Sequence, residues 1–213
     1  YDPKTVFSSI DKVGRYAYCN QPAITKWNLS RFAECLIPLI HENHEISIKS
    51  ATELIDMFGE KYEEKWLNMM RDKLGFFGED QRDKKIIEDL LNWMEQNKAD
   101  YTNTFCYLMN NDSINNEIYK DQKFLTWIKN WKNRILINNG SIEKSLKLMK
   151  NTNPTVIPRN HKVEEALLAA NENNLDNFNK LLTVLEKPYD NLENNNEFQS
   201  PSSNNNYQTY CGT

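Results

Sequence analysis

Between Ala51 and Leu74 the apolar side chains return at three- and four-residue intervals: Ala51, Leu54, Ile55, Phe58, Tyr62, Trp66, Met69, Met70 and Leu74. That period gathers them on one face of a helix and would scatter them over both faces of a strand, so the segment is predicted to be one long helix. Burying each large member is worth roughly 1.5–3 kcal/mol, which outweighs the cost of about 1 kcal/mol for the interior Gly59. Gly75 follows the last leucine and is placed to cap the helix in a left-handed conformation.

The rest of the chain repeats this logic in shorter pieces. Asn20 reads as an N-cap with Pro22 in the first turn. Leu29, Phe32, Ala33, Leu36 and Ile40 then form a stripe expected to be buried, with Pro38 kinking or ending that helix late. Further helices are expected near 83–97 and 100–109, on Phe124, Trp127, Ile128, Trp131 and Ile135, and after Ser141 as a cap. Pro154 and Pro158 force an extended stretch, and two short helices follow near 161–173 and 176–186. The polar run Asn110–Asn116 reads as a solvated loop, and residues 190–206, rich in Asn, Ser and Glu, as disordered. No convincing alternating strand occurs, so the expected class is all-α. The organisation reads as a loop over 1–21, a helical body over 22–150, a helical extension over 151–189 and a flexible tail over 190–213 ending in Cys-Gly-Thr.

Composition excludes several functions. A net charge of −4, with Lys and Arg interspersed among acids, lacks the clustered positive face that nucleic acid requires, so no nucleic-acid partner is expected. Apolar runs such as Leu36-Ile37-Pro38-Leu39-Ile40 are too short to cross a bilayer, so no membrane partner is expected either. The chain opens on Tyr1 with no basic and apolar leader; the native N-terminus is expected to lie upstream, and targeting cannot be read. The four cysteines have no metal-ligand spacing. Cys19, Cys35 and Cys106 are expected to be buried thiols, while Cys211, on the polar tail, is a candidate redox residue. His41 and His44 could share a metal from one helix end, although histidines facing the helix dipole are the commoner case. The Met and Trp stripes read as a shared core.

Five blocks, in order, carry a family resemblance. They are Gly14-Arg15-Tyr16-Ala17-Tyr18-Cys19-Asn20-Gln21-Pro22 with Trp27-Asn28-Leu29 and Arg31; Lys73-Leu74-Gly75-Phe76; Asp100-Tyr101-Thr102-Asn103-Thr104-Phe105; Asn153-Pro154 with Pro158-Arg159-Asn160; and the Cys211-Gly212-Thr213 end. Together they resemble selenoprotein O (SelO), also called the YdiU type, a family of pseudokinase-like protein adenylyltransferases. The resemblance implies a protein-kinase-like fold with ATP bound in a flipped orientation and AMP transferred, with Mg²⁺, to Ser, Thr or Tyr of protein substrates. It also implies that the nucleotide-binding and catalytic groups lie upstream of Tyr1. This chain would then hold the end of the activation segment (1–21), the helical C-lobe and the C-terminal extension, with the missing N-terminal lobe as its partner. The sequence has six isolated glycines and no glycine-rich phosphate loop, so no catalytic, nucleotide or metal residue is assigned in it.

The resemblance also frames individual residues. Gly14, Arg15, Tyr16, Asn20, Gln21 and Pro22 form one structural block, and Pro158, Arg159 and Asn160 another. Arg15 could hold a substrate or phosphate, or pair with an acid and brace the body; the brace is the simpler reading. Ser8 and Ser9 are open to modification in such a loop. Arg159 is expected to anchor the extension through its five-donor fork. The family's idea of a disulfide between Cys211 and the activation segment meets Phe7 at the partner position, with Cys19 the nearest thiol. The location implied is the mitochondrion for a eukaryotic member and the cytoplasm for a bacterial one. Two other readings are a non-catalytic helical interaction module derived from the family and a gene fragment.

Overall fold

The structure, a computed structural model, describes residues 1–109, 117–138, 140–190 and 196–202. The Asn110–Asn116 loop, Cys211 and the Cys-Gly-Thr end lie outside these residues. Every regular element described is helical: α1 (Gln21–Ile40), α2 (His44–Asp56), α3 (Phe58–Lys73), α4 (Asp83–Gln96), α5 (Tyr101–Met109), α6 (Gln122–Ile135), α7 (Ile142–Thr152), α8 (Asn160–Asn171), α9 (Asp176–Leu185) and α10 (Asn196–Gln199). None is long and apolar enough to cross a membrane among the described residues.

Side chains mark the starts of these helices. The Asn43 carboxamide oxygen accepts from the amides of Glu45 and Ile46, opening α2. Asp121 does the same for Lys123 and Phe124 of α6, and Ser141 accepts from Lys144 of α7. The long helix expected over 51–74 is instead two, broken at Met57. The break preserves the phase of the apolar period, so periodicity could not register it. Gly59 consequently falls in the first turn of α3, not in a helix interior. Gly75 has φ +71°, and a Cβ there would stand 2.8 Å from both Cβ and the carbonyl oxygen of Ser145, so close packing as well as backbone geometry requires glycine.

The chain divides into two compact units, one spanning Asp2–Met69, the other the described residues from Met70 onward together with Tyr1. In the first, α1 packs along α2, yet α1 buries only Ile24. Much of the stripe expected to be covered is not: Phe32 is 60% exposed, Ile40 42% and, on α2, Leu54 68%. Hydrophobic period identifies which face of a helix is apolar; whether anything lies over that face is a separate matter.

The second unit closes on an aromatic core. Trp93 stacks on Phe124 at 4.2 Å between ring centres, and Tyr107 on Tyr119 at 4.1 Å. Phe124, Ile87, Leu90 and Met94 are fully buried around them. The indole N–H groups find acceptors despite burial: Trp127 donates to the Ile86 carbonyl at 2.8 Å and Trp131 to that of Leu74 at 2.9 Å. A smaller cluster of Val156, Ala166, Leu181 and Val184 joins α8 to α9, and Phe198 of α10 is buried in it. Residues 196–199 therefore correct, for that part alone, the reading of the 190–206 stretch as disordered: Phe198 seats one helical turn against the cluster.

Candidate functional site

The loop before α1 is held by a compact set of local hydrogen bonds. The Asp11 carboxylate accepts from the amides of Arg15 at 2.9 Å and Tyr16 at 2.7 Å. Gly14 turns the chain at φ +71°. The Asn20 carboxamide then donates to the Gly14 carbonyl at 2.7 Å, and that of Gln21 to the Tyr16 carbonyl. Asn20 thus does not cap α1 through its side chain, as its sequence position suggested; it reaches back to clip the loop. Pro22 occupies the first turn, where its missing N–H costs nothing. Ladder-like bonds from Tyr18 to Thr5 and from Cys19 to Pro3 hold the base of the loop.

Arg15 neither pairs with an acid among the described residues nor is buried. Its guanidinium lies 4.8 Å from the ring centre of Trp27, which Arg31 flanks at 5.7 Å. Arg31 itself bonds Glu34 at 2.6 Å. Outward from this clip, Phe7, Ile10, Val13 and Tyr16 are exposed around an open concavity of about 790 Å³. Ser8 lines the same concavity, and the buried hydroxyl of Ser9 has no hydrogen-bond partner among the described residues.

Two polar knots in the second unit do structural work. Arg159, at the N-cap of α8, forks onto Asp100 at 2.6 and 3.0 Å and reaches the Gln199 carbonyl at 2.8 Å. Asn103 donates to that same carbonyl, so a single acceptor ties α10 to α5 and α8. Pro158 precedes this fork, and Asn160 is the first residue of α8. Burial raises the Asp100 carboxyl, but hydrogen bonds from Arg159 and the Asn103 amide outweigh it and leave it below the usual carboxylate range. The second knot had no signal in the sequence. The buried Asp83 carboxylate receives Arg134 at 2.5 Å, Arg71 at 2.8 Å and the Asp80 amide at 3.0 Å. Arg134 also donates to the carbonyls of Phe77 and Gly78, at 3.3 and 3.0 Å, and thereby shapes the loop between α3 and α4.

The thiols depart from expectation. Cys19 and Cys35 are exposed, and among the described residues only Cys106 is a buried thiol. Burial, reinforced by Asp100, pushes the Cys106 thiol up to about 11. His41 and His44 belong to different helices: His41 follows α1 and accepts from the Asn43 amide at 2.8 Å, while His44 opens α2. Among the described residues no group of three metal-ligating side chains converges, and the isolated glycines provide no phosphate cradle. Among the described residues neither ATP nor Mg²⁺ meets a converging set of ligands, and no chemical step is derived through either.

Comparison with known proteins first supplies a class. Curated relatives carrying the name protein nucleotidyltransferase YdiU match all of this chain, at 57% identity in Pelagibacter ubique, 48% in Nitrosococcus oceani and 47% in Clostridium beijerinckii. The chain spans 44% of the length of each of these relatives. The family model described as Protein adenylyltransferase SelO matches residues 1–186, and the chain belongs to that family.

Proposed function

We propose that this chain is the helical portion of a SelO-type adenylyltransferase that, as a complete protein, uses Mg²⁺ and transfers AMP from ATP to a Ser, Thr or Tyr hydroxyl of other proteins, with pyrophosphate leaving. In this reading the nucleotide, the metal and the catalytic groups are held by the remainder of the family protein. The present chain contributes the kinase-like C-lobe, the clipped loop and the C-terminal extension. The observation that carries the reading is the end-to-end match to nucleotidyltransferases more than twice as long as the chain. Support also comes from the bare apolar faces of α1 and α2, where Phe32, Leu39 and Leu54 lie open. Monomeric proteins rarely leave such surface uncovered, and a second lobe would cover it.

The test is label transfer. The protein expressed from its complete reading frame, supplied with Mg²⁺ and ATP labelled at the α-phosphate, is expected to mark acceptor proteins; the 213-residue chain alone is expected to mark none. Transfer of label from the γ-phosphate instead, or from neither position, would remove the proposal.

A further inference from the structure

We infer that the loop over residues 7–16 is a docking surface for an extended peptide of a substrate protein, one that sets an apolar side chain beside an acidic one. The inference rests on the AMP-transfer reading and specifies which peptides that activity would select. Three observations carry it. First, the loop is pre-organised: Asp11 fixes two amides, and Asn20 and Gln21 pin the carbonyls of Gly14 and Tyr16. A rigid loop loses little conformational entropy on binding. Second, that rigidity is spent on presenting apolar groups to solvent. Val13 is 89% exposed, and with Phe7, Ile10 and Tyr16 it borders a concavity of about 790 Å³, large enough for an aromatic or branched anchor.

Third, cations outnumber anions two to one around this apolar floor. The one anion, the Asp11 carboxylate, is already engaged by backbone amides, whereas neither Lys12 nor Arg15 has a carboxylate partner among the described residues. Stacking on Trp27 holds the Arg15 guanidinium by its face and leaves its donor edge free for a bidentate carboxylate. An acidic residue one or two positions from the anchor would complete that edge, and a basic peptide would be repelled.

The test uses the protein expressed from its complete reading frame and two fluorescein-labelled dodecapeptides, each with a central Leu-Phe followed by Glu-Glu in one and Gln-Gln in the other. By fluorescence anisotropy the Glu peptide is expected to bind about tenfold more tightly, with the preference shrinking as salt rises. Arg15→Glu and, separately, Val13→Asp are each expected to weaken the Glu peptide about tenfold. Both residues are exposed, so both variants are expected to stay folded, Arg15→Glu giving up no more than its stacking on Trp27. Label transfer from α-labelled ATP to an unselected protein mixture is measured in parallel. Equal affinity for the two peptides, or no binding of either, overturns the inference even if AMP transfer proceeds. Slow hydroxyl-radical labelling of the Val13 and Phe7 side chains in the complete protein without peptide also overturns it, because the rest of the protein would then be the occupant. Peptide selectivity without AMP transfer would remove the enzymatic reading and leave the docking surface standing.

Discussion

Replacing Arg134 by methionine, which keeps most of the side-chain volume and removes the guanidinium, tests the knot around Asp83. Arg134 is 1% exposed and Asp83 0%, so neither can turn to water when its partner is lost. Breaking a buried pair costs about 3–5 kcal/mol in general. The structure indicates which end of that range applies to each partner. Without Arg134, the Asp83 carboxylate keeps Arg71 at 2.8 Å and the Asp80 amide at 3.0 Å. The Phe77 carbonyl keeps the Asn138 carboxamide at 3.2 Å. Arg134→Met is therefore expected near the lower end, about 3 kcal/mol. Asp83→Asn removes the one anion shared by two guanidiniums and is expected near the upper end, about 5 kcal/mol. Against a total stability of about 5–15 kcal/mol, both are large. In urea melts followed by helical circular dichroism, a loss of about 3 kcal/mol moves the midpoint by about 1–3 M. Arg134→Lys preserves the charge but cannot reach the carboxylate and two carbonyls together, and is expected between wild type and Met. A loss below about 1 kcal/mol for Arg134→Met, or a milder effect for Asp83→Asn than for Arg134→Met, would refute the reasoning.

Three further outcomes follow from the site geometry. The folded state holds the Asp100 carboxyl below its unfolded value, so it favours the ionised form; that stabilisation is complete above the ordinary carboxylate value of about 4 and fades as pH falls through the folded value. Urea midpoints of wild type should accordingly drop on acidification below about pH 4, and Asp100→Asn, weaker at pH 7, should drop less over the same interval. Cys106 has the opposite sign: its folded value near 11 lies above the unfolded thiol, so its contribution is intact at neutral pH and is lost as pH rises through that value. Iodoacetamide mapped by mass spectrometry at pH 8 should accordingly label Cys19 and Cys35 quickly and Cys106 only on unfolding. Asn20→Ala cuts the clip on Gly14 and should speed tryptic cleavage after Arg15 severalfold while leaving the melting of the second unit unchanged; equal cleavage rates would show that the clip does not order the loop.

What could be read from the sequence was whatever depends on neighbours a few residues apart. The 3.6-residue period located nearly every helix, Ser141 as a cap and Gly75 as a left-handed stop, because each of these depends on backbone groups within one turn. Contacts distant in sequence left no such trace. Asp83 and Arg134 are 51 positions apart, and nothing in either flank marks them as partners. Arg159 could be named as an anchor from its prolines and its fork, but its partner, Asp100, 59 positions away, could not. Burial was misjudged where the period identified an apolar face with nothing described over it, as on α1, and where average composition hid one decisive side chain, as with Phe198. The loop before α1 combines both limits. Its Gly-Arg-Tyr and Asn-Gln-Pro blocks were visible as words, and local hydrogen bonding explains them as a clip. That the clipped loop leaves apolar side chains exposed to solvent, with Lys12 and Arg15 beside them, follows only from the folded geometry. Loops commonly sit at the surface with polar side chains, and this one is fixed in place with Phe7, Ile10 and Val13 uncovered. A segment that gives up both flexibility and solubility has those costs offset only when something binds there, which is why the loop, and not the better-packed core, is where the function of this chain should be sought.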